Sequence, residues 1–163
     1  MQALTTDELA SFCGAETRRW REWFKENRST LDLAVDIAQA KTVRDLVLHI
    51  AAVELRYAER LLEEPVTEYD QLPTSTVEDL FSIGDKAECK FREFMSRAGE
   101  ADWQKVLTFP TRSAGTFSAS KRKIFVHALL HGMRHWAQLA TFLRQRGFKQ
   151  PWFHDFIFSD AMQ

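Results

Sequence analysis

The chain has 163 residues, with 22 basic and 23 acidic side chains and a formal net charge of −1. This balance excludes the excess of lysine and arginine by which proteins attract nucleic acid, so we expect no nucleic-acid partner. Hydrophobic residues make up 45% of the sequence, and a chain of this length buries a core without disulfides or a structural metal. We therefore expect a single domain over residues 1–163.

The two cysteines, Cys13 and Cys89, lie far apart and outside any Cys-x-x-Cys spacing. This use of cysteine indicates reduced thiols in a cytosolic protein. The first residues lack the basic and apolar regions of a secretory signal, and no apolar run approaches the roughly 20 residues that span a bilayer. The sequence therefore predicts a cytoplasmic protein without a membrane partner.

Helical spacing of apolar residues dominates the chain. The first helix is predicted from about Thr6 to Asn27, capped by Thr5 or Thr6, with acidic residues in its first turn. Residues 29–40 indicate a loop or a short helical piece. The second helix is predicted from Thr42, with Asp45 as its capping-box partner, to about residue 63, shortly before a proline.

The second helix carries an apolar stripe that we expect to face the core. One histidine belongs to it, because the stripe consists of Leu46, His49, Ile50, Val53, Tyr57 and Leu61. The third helix is predicted to begin at a capping box formed by Ser75 and Glu78 and to end at Gly99.

Residues 101–117 break the helical rhythm and indicate two short strands or an extended excursion around a turn. The last helix is predicted from about Ser120 to Arg146, with Gly147 as its C-terminal stop. Four long helices with modest links predict an all-α fold, an up-and-down four-helix bundle over about 6–147 with a short hairpin excursion before the last helix. The aromatic tail, 148–163, is expected to pack on the bundle or on a second subunit.

Histidines of the last helix occur at a spacing that suits a metal ion. Four residues advance a helix by about 400° and about 6 Å, so His131 and His135 leave the same face and can bind one divalent metal. His127 extends this series by one turn. Because the first and last histidines of this series lie about 12 Å apart, one ion cannot bind all three. The metal-binding pair is either His127 with His131 or His131 with His135.

His49, on a separate predicted helix, could complete a three-histidine site from across the bundle. Such a site leaves coordination positions open for water or substrate. A ferritin-like di-iron centre would need Glu-x-x-His on two helices. No acidic residue stands three positions before a helical histidine, since those positions hold Leu46, Ile124, Ala128 and Gly132. Gly132 also excludes the His-Glu-x-x-His motif of zinc proteases.

Two segments resemble a known family. They are LHIAAVELRY at residues 48–57 and HGMRHWAQL at 131–139, the latter followed by LRQRG at 143–147. In this order and spacing they resemble the DinB-like (DinB/YfiT) superfamily of metalloenzymes. The resemblance implies that the metal ligands are His49, His131 and His135, and it matches Gln138 to the family's glutamine. The chain departs from the family pattern at Arg134, Trp136 and Ala137, which affects the polarity of the pocket.

The resemblance also implies that the protein binds a divalent metal ion, zinc or nickel, and acts as a thiol S-transferase. Its substrate would be a small molecule such as a low-molecular-weight thiol, and the protein would be a homodimer. A metal-dependent hydrolase and a non-catalytic metal-binding or stress-related protein are the alternatives. In the non-catalytic alternative, His154 of the tail could supply a fourth ligand. No catalytic residue is assigned; Tyr57, Glu54 and Arg134 are weak candidates for a general base. Glu54 lies about 140° around its helix from His49 and is expected to face away.

Overall fold

A computed structural model describes residues 4–111 and 115–161. Over these ranges the fold is mostly helical, with two small antiparallel sheets. The elements in chain order are α1 (Thr6–Glu26), β1 (Ala34–Ile37), β2 (Ala40–Thr42), α2 (Val43–Leu62), α3 (Val77–Arg97), α4 (Glu100–Gln104), β3 (Val106–Thr111), β4 (Gly115–Ser120) and α5 (Lys121–Gln145). Short 3-10 segments occur at Arg28–Asp32, Tyr69–Gln71 and Phe156–Phe158.

Capping boxes open the first three long helices. In α2 the hydroxyl of Thr42 accepts a hydrogen bond from the backbone N–H of Asp45, whose carboxylate accepts one from the N–H of Thr42, as the sequence predicts. The box predicted at Ser75 and Glu78 is wrong by one residue. Thr76 caps α3 with Asp79, which leaves the Glu78 carboxylate free to pair with Arg21 of α1.

Two glycines predicted as helix stops behave differently. Gly147 has a φ of +87°, the left-handed conformation that a glycine adopts at low cost after a helix, so this prediction is confirmed. The prediction for Gly99 is wrong. Helix α3 already ends at Arg97, and Gly99, with a φ of −81°, is the N-cap of α4.

The four long helices enclose the core. Helix α2 packs along both α3 and α5, and α1 contacts the same two helices. Removal of large side chains from water supplies about 1.5–3 kcal/mol each. The largest side chains that are fully buried include Trp20, Phe24, Phe125, Leu46, Ile50, Leu80 and Leu139. No helix within the described ranges is both long and apolar enough to cross a membrane.

A β-hairpin that the sequence did not predict precedes α2. Where a loop or a helical piece was expected over 29–40, a 3-10 turn leads into strands β1 and β2. The hairpin turns through Ala38 and Gln39, with φ angles of 53° and 66°. Such turns usually carry Asn-Gly or a similar pair, and this one lacks that signal.

The second hairpin confirms the predicted excursion before the last helix, but the predicted bounds, 101–117, are wrong: the strands end at Ser120, and Glu100–Gln104 form helix α4. Strands β3 and β4 pair in antiparallel register, with Phe109 opposite Phe117. The turn, at residues 112–114, lies outside the described residues. Strand β4 runs directly into α5 at Ser120, and the paired hairpin carries Phe109 against Tyr57 of α2.

The C-terminal tail is attached to α1 by a buried acid. The Glu16 carboxylate is 1% exposed and accepts hydrogen bonds from Trp152 Nε1 at 3.2 Å and from His154 Nδ1 at 2.5 Å. The His154 ring also stacks on Trp20. The tail thus packs on the helices, one of the two expected arrangements, while Phe153 and Ile157 remain largely exposed.

Candidate metal centre

The structure brings together three histidines from two adjacent helices. His49 lies on α2, and His131 and His135 lie one turn apart on α5. The Nε2 atom of His131 is 3.3 Å from that of His49 and 3.1 Å from that of His135. One ligand nitrogen from each ring lies within 4.8 Å of the others.

A glycine allows α2 and α5 to approach closely beside the histidines. A Cβ atom at Gly132 would lie 3.6 Å from Ile50 Cγ2 and would clash with the Glu54 carboxylate. A Cβ atom here would be in ordinary contact with Ile50, whereas the Glu54 carboxylate would have to move. Gly132 therefore does more than exclude a zinc-protease motif, because it leaves room for the Glu54 carboxylate beside α5, one residue away from His131.

The separations between the nitrogen atoms fit a shared ion. Two histidine nitrogens, each about 2.0–2.1 Å from zinc, lie about 3.3 Å apart at a tetrahedral angle. The two measured separations, 3.3 and 3.1 Å, agree with this value. Imidazole is also a common ligand of zinc, nickel, copper and iron, so the donors suit a divalent metal without selecting one.

Gln138 sets the tautomer of His135. Its Oε1 atom lies 2.7 Å from His135 Nδ1 and accepts that N–H, which leaves the lone pair of Nε2 directed at the other two rings. Hydrogen bonds of this kind commonly orient metal-binding histidines. Arg134 donates to the same Nε2 at 3.1 Å. This lone pair cannot serve Arg134 and a metal ion together, so ion binding requires the guanidinium to move.

The surroundings favour the neutral form of the two imidazoles on α5. Burial, the neighbouring His135 and His49 rings and Arg134 lower the pKa of His131 to about 3. Burial also lowers the pKa of His135, although the hydrogen bond to Gln138 opposes this effect. Neutral rings expose the lone pairs that a metal requires. The Nδ1 atom of His131 is buried and has no hydrogen-bond partner within residues 4–111 and 115–161.

Two openings lead to the histidines. The first is a groove that runs between α2, α5 and strand β3 and reaches His49 and His131. Its wall carries aromatic and basic side chains, namely Arg56, Tyr57, Arg60, Tyr69, Phe109, His127 and Arg134. The second opening passes the β1–β2 turn and reaches all three histidines. An ion at the three rings would thus be accessible to small molecules from solution.

Two guanidinium groups along these openings, those of Arg60 and Arg134, have no carboxylate partner among the residues that the structure describes. Arg60 donates to the Arg56 carbonyl at 3.0 Å and lies over the Phe109 ring, 4.9 Å from its centroid. Burial and the adjacent Arg56 lower the pKa of Arg60. No carboxylate among the described residues lies within ion-pair distance of Arg60 or Arg134. These two groups place positive charge along the approach to the histidines.

The remaining histidines lie outside the trio. The His127 ring is 5.8 Å from that of His131, centroid to centroid, and packs edge-on against Tyr57 in the groove. The spacing permits two pairs of histidines on α5. In the structure the pair that lies beside His49 is His131 with His135. His154 is bonded to Glu16 on α1 and contributes no nitrogen to the trio.

The expected place of His49 in the core-facing stripe needs correction. Leu46, Ile50 and Leu61 are fully buried, whereas His49 and Tyr57 are only partly buried and line the groove. The stripe therefore splits into a core face and a site face. Glu54 faces away from the histidines, as expected, and lines a different cavity.

Sequence reasoning missed Arg60, Tyr69 and Phe109 as groove residues. Phe109 comes from the β3–β4 hairpin, and Tyr69 comes from the link between α2 and α3. No motif connects these positions to the histidines. For Arg60 a weak signal existed, because it lies eleven residues, about three helical turns, after His49 on α2.

Three imidazoles that converge from two adjacent helices define a helical protein able to hold a divalent metal ion. A family model described as the DinB family matches residues 2–162, nearly the whole chain. The chain therefore belongs to the DinB family, in agreement with the resemblance of its two histidine segments. A comparison with curated proteins finds no match.

Proposed function

We propose that the protein binds a divalent metal ion, zinc or nickel, through His49, His131 and His135 and uses it to activate a small-molecule thiol for S-transfer. The observation that carries this proposal is the convergence of three ligand nitrogens within 4.8 Å of one another, beside a groove open to solution. We also infer that α1, α2, α3 and α5 form the up-and-down four-helix bundle that the family resemblance implies.

Three neutral imidazoles would leave a bound ion its full positive charge, and this charge would lower the pKa of a thiol that reaches it. The protein's own residues prepare this position. Gln138 holds His135 in the tautomer with an unprotonated Nε2, and Gly132 leaves room for the Glu54 carboxylate between α2 and α5. The thiol releases its proton to solvent. Its sulfur then forms a bond to an electrophilic carbon as the leaving group departs with its electron pair.

The arginines of the openings suit an anionic thiol. Arg60 and Arg134 lack carboxylate partners among the described residues, and a substrate carboxylate could pair with either. Such a pair would orient the thiol without contributing to the chemistry. The aromatic rings of Tyr57 and Phe109, 6.0 Å apart, provide an apolar wall for the electrophile.

The metal-dependent hydrolase remains the second candidate, because the same open groove would admit water. A closed, non-catalytic metal site is less well supported. It would need a fourth protein ligand, and His154, the expected one, is bonded to Glu16 instead. Homodimerisation, a cytoplasmic location and the absence of nucleic-acid and membrane partners stay predictions.

Metal-loaded protein should be assayed with cysteine and glutathione against a chloronitrobenzene electrophile, and separately with ester substrates without thiol. We expect the metal-loaded wild type to form the thioether and His135→Ala to form none. Chelation should abolish the activity of the wild type, and addition of zinc or nickel should restore it. Lys149→Ala, in the tail away from the histidines, is the control. Metal-dependent ester cleavage without thioether formation would favour the hydrolase and overturn S-transfer.

A further inference from the structure

A second cavity lies between α1 and α3 and contains none of the three histidines. It has a volume of about 100 Å³, and its floor is formed by α2 and α5. A water molecule needs roughly 10–15 Å³ of such space, so the cavity has room for a compact organic molecule. The Glu54 carboxyl from α2 lies at this floor.

Glu54 is buried without a partner. It is 9% exposed, and within residues 4–111 and 115–161 it makes no hydrogen bond or ion pair. Burial and the nearby Glu88 raise its pKa to about 8. A buried carboxyl without a partner is costly. A ligand in the cavity could satisfy it.

The wall of the cavity is largely apolar, with Phe81, Phe91 and Leu129 among its residues. A glycine on α3 helps to keep it open. A Cβ atom at Gly84 would meet only Thr17 Cγ2, at 3.9 Å, so the space in front of this glycine is empty. The shape thus suits a small apolar group that enters between the two helices.

The charges at the mouth are paired with one another. Arg21 bonds Asp85 at 2.9 Å, and Arg92 bonds Glu88 at 2.6 Å. Arg18 also lies 3.5 Å from Glu88. The arginines are therefore neutralised at the rim, and none of them reaches Glu54. Within the described part of the chain, each arginine that lines this cavity thus has a carboxylate within ion-pair distance.

We propose that this cavity binds a small organic cation, a primary ammonium group on a compact apolar body, with the ammonium on Glu54 and the body against Phe81 and Phe91. The ligand's charge compensates the carboxylate, and its apolar part fills the space in front of Gly84. Cys13 of α1, which also lines the cavity, does not compete chemically, because burial and the charges of Glu54 and Glu16 raise its pKa to about 12. The site is separate from the metal centre and does not depend on the proposed S-transfer.

Calorimetric titration of the metal-loaded full chain with benzylammonium tests the proposal, with benzyl alcohol and benzoate as neutral and anionic analogues. We expect benzylammonium to bind with 1:1 stoichiometry and at least tenfold more tightly than either analogue. Glu54→Gln, of nearly equal volume, should weaken binding at least tenfold. Glu93→Gln, which removes a carboxylate from the exposed face of α3, should leave it unchanged.

Two further variants separate this site from the metal centre and from effects on folding. Gly84→Leu leaves Glu54 in place but fills the cavity, so it should abolish binding while the far-ultraviolet circular dichroism stays that of the wild type. His131→Ala should bind benzylammonium as the wild type does. Loss of binding in His131→Ala would show that the amine coordinates the metal. Such a loss would overturn the proposal. Equal affinity for benzylammonium and benzyl alcohol, or no binding of benzylammonium by the wild type, would also overturn it.

Discussion

The Nε2 atoms of His49 and His131 lie 3.3 Å apart, although 82 positions separate the two residues in the chain. Their proximity depends on the packing of α2 against α5, and Gly132, next to His131, lies in the contact between these helices. The candidate metal centre is therefore a product of tertiary packing, and only its α5 half is encoded as a local motif. Each half can be tested by a separate substitution.

Removal of one ring from the trio should remove the ion. His131→Ala lacks the nitrogen that lies closest to both partners, 3.3 and 3.1 Å away, so we expect it to lose bound metal on dialysis. His127→Ala leaves the trio intact and should retain metal at the wild-type stoichiometry. Elemental analysis of the dialysed proteins measures both. Equal retention by the two variants would contradict the assignment of the trio.

The hydrogen bond from His135 to Gln138 should contribute to metal affinity without contacting the ion. Gln138→Leu keeps a side chain of similar size but cannot accept the Nδ1–H, which frees His135 to change tautomer. Loss of such supporting groups typically lowers metal affinity by about 10–100-fold. Competition with a chromogenic chelator measures this change. Gln145→Leu, at the exposed end of α5, is the matched control and should keep wild-type affinity.

Close packing at Gly132 should be visible in stability. Gly132→Ala directs a methyl group at the Glu54 carboxylate, and overpacking of this kind costs about 1–3 kcal/mol. Urea denaturation measures the free energy of unfolding. In the double variant Gly132→Ala/Glu54→Ala the clashing carboxylate is gone. The double variant should therefore be destabilised by less than the sum of the losses measured for the two single variants. Additive effects would show that the two residues do not interact.

The sequence predicts the helices well because their determinants are local. Thr42 and Asp45 bond within one turn, and Gly147 carries its stop signal in its own backbone freedom. The error at Ser75 arises because adjacent Ser and Thr residues offer two capping boxes one position apart. Val77 is buried in the core, which fits the box formed by Thr76 and Asp79. Local chemistry alone does not rank them.

The parts that were missed depend on contacts between distant residues. Ala38 and Gln39 form a hairpin turn with positive φ angles, which neither residue type favours. Phe109 and Arg60 meet only because the β3–β4 hairpin folds over α2. The histidine trio was predictable from helical spacing together with the family resemblance. The groove beside it was not, since its residues share no sequence pattern.

Glu54 should make the stability of the protein depend on pH. Its pKa is about 8 in the folded state and near the ordinary value of 4.5 in the unfolded chain, where Glu88 and the low-polarity cavity no longer act on it. Between these values the folded state retains a proton that the unfolded state releases. Its contribution is therefore fully present below about pH 4.5 and declines as the pH rises to about 8.

A shift of this size corresponds to a few kcal/mol, at about 1.4 kcal/mol per pKa unit. Urea denaturation at pH 5.5 and 8.5 should show a loss of stability in the wild type that is much smaller in Glu54→Gln, which cannot ionise. Glu93→Gln should behave like the wild type, because its carboxylate is exposed and paired with Arg97. If Glu54→Gln loses as much stability as the wild type over this interval, the raised pKa of Glu54 is wrong, and the Glu54 carboxyl is solvated in the folded state.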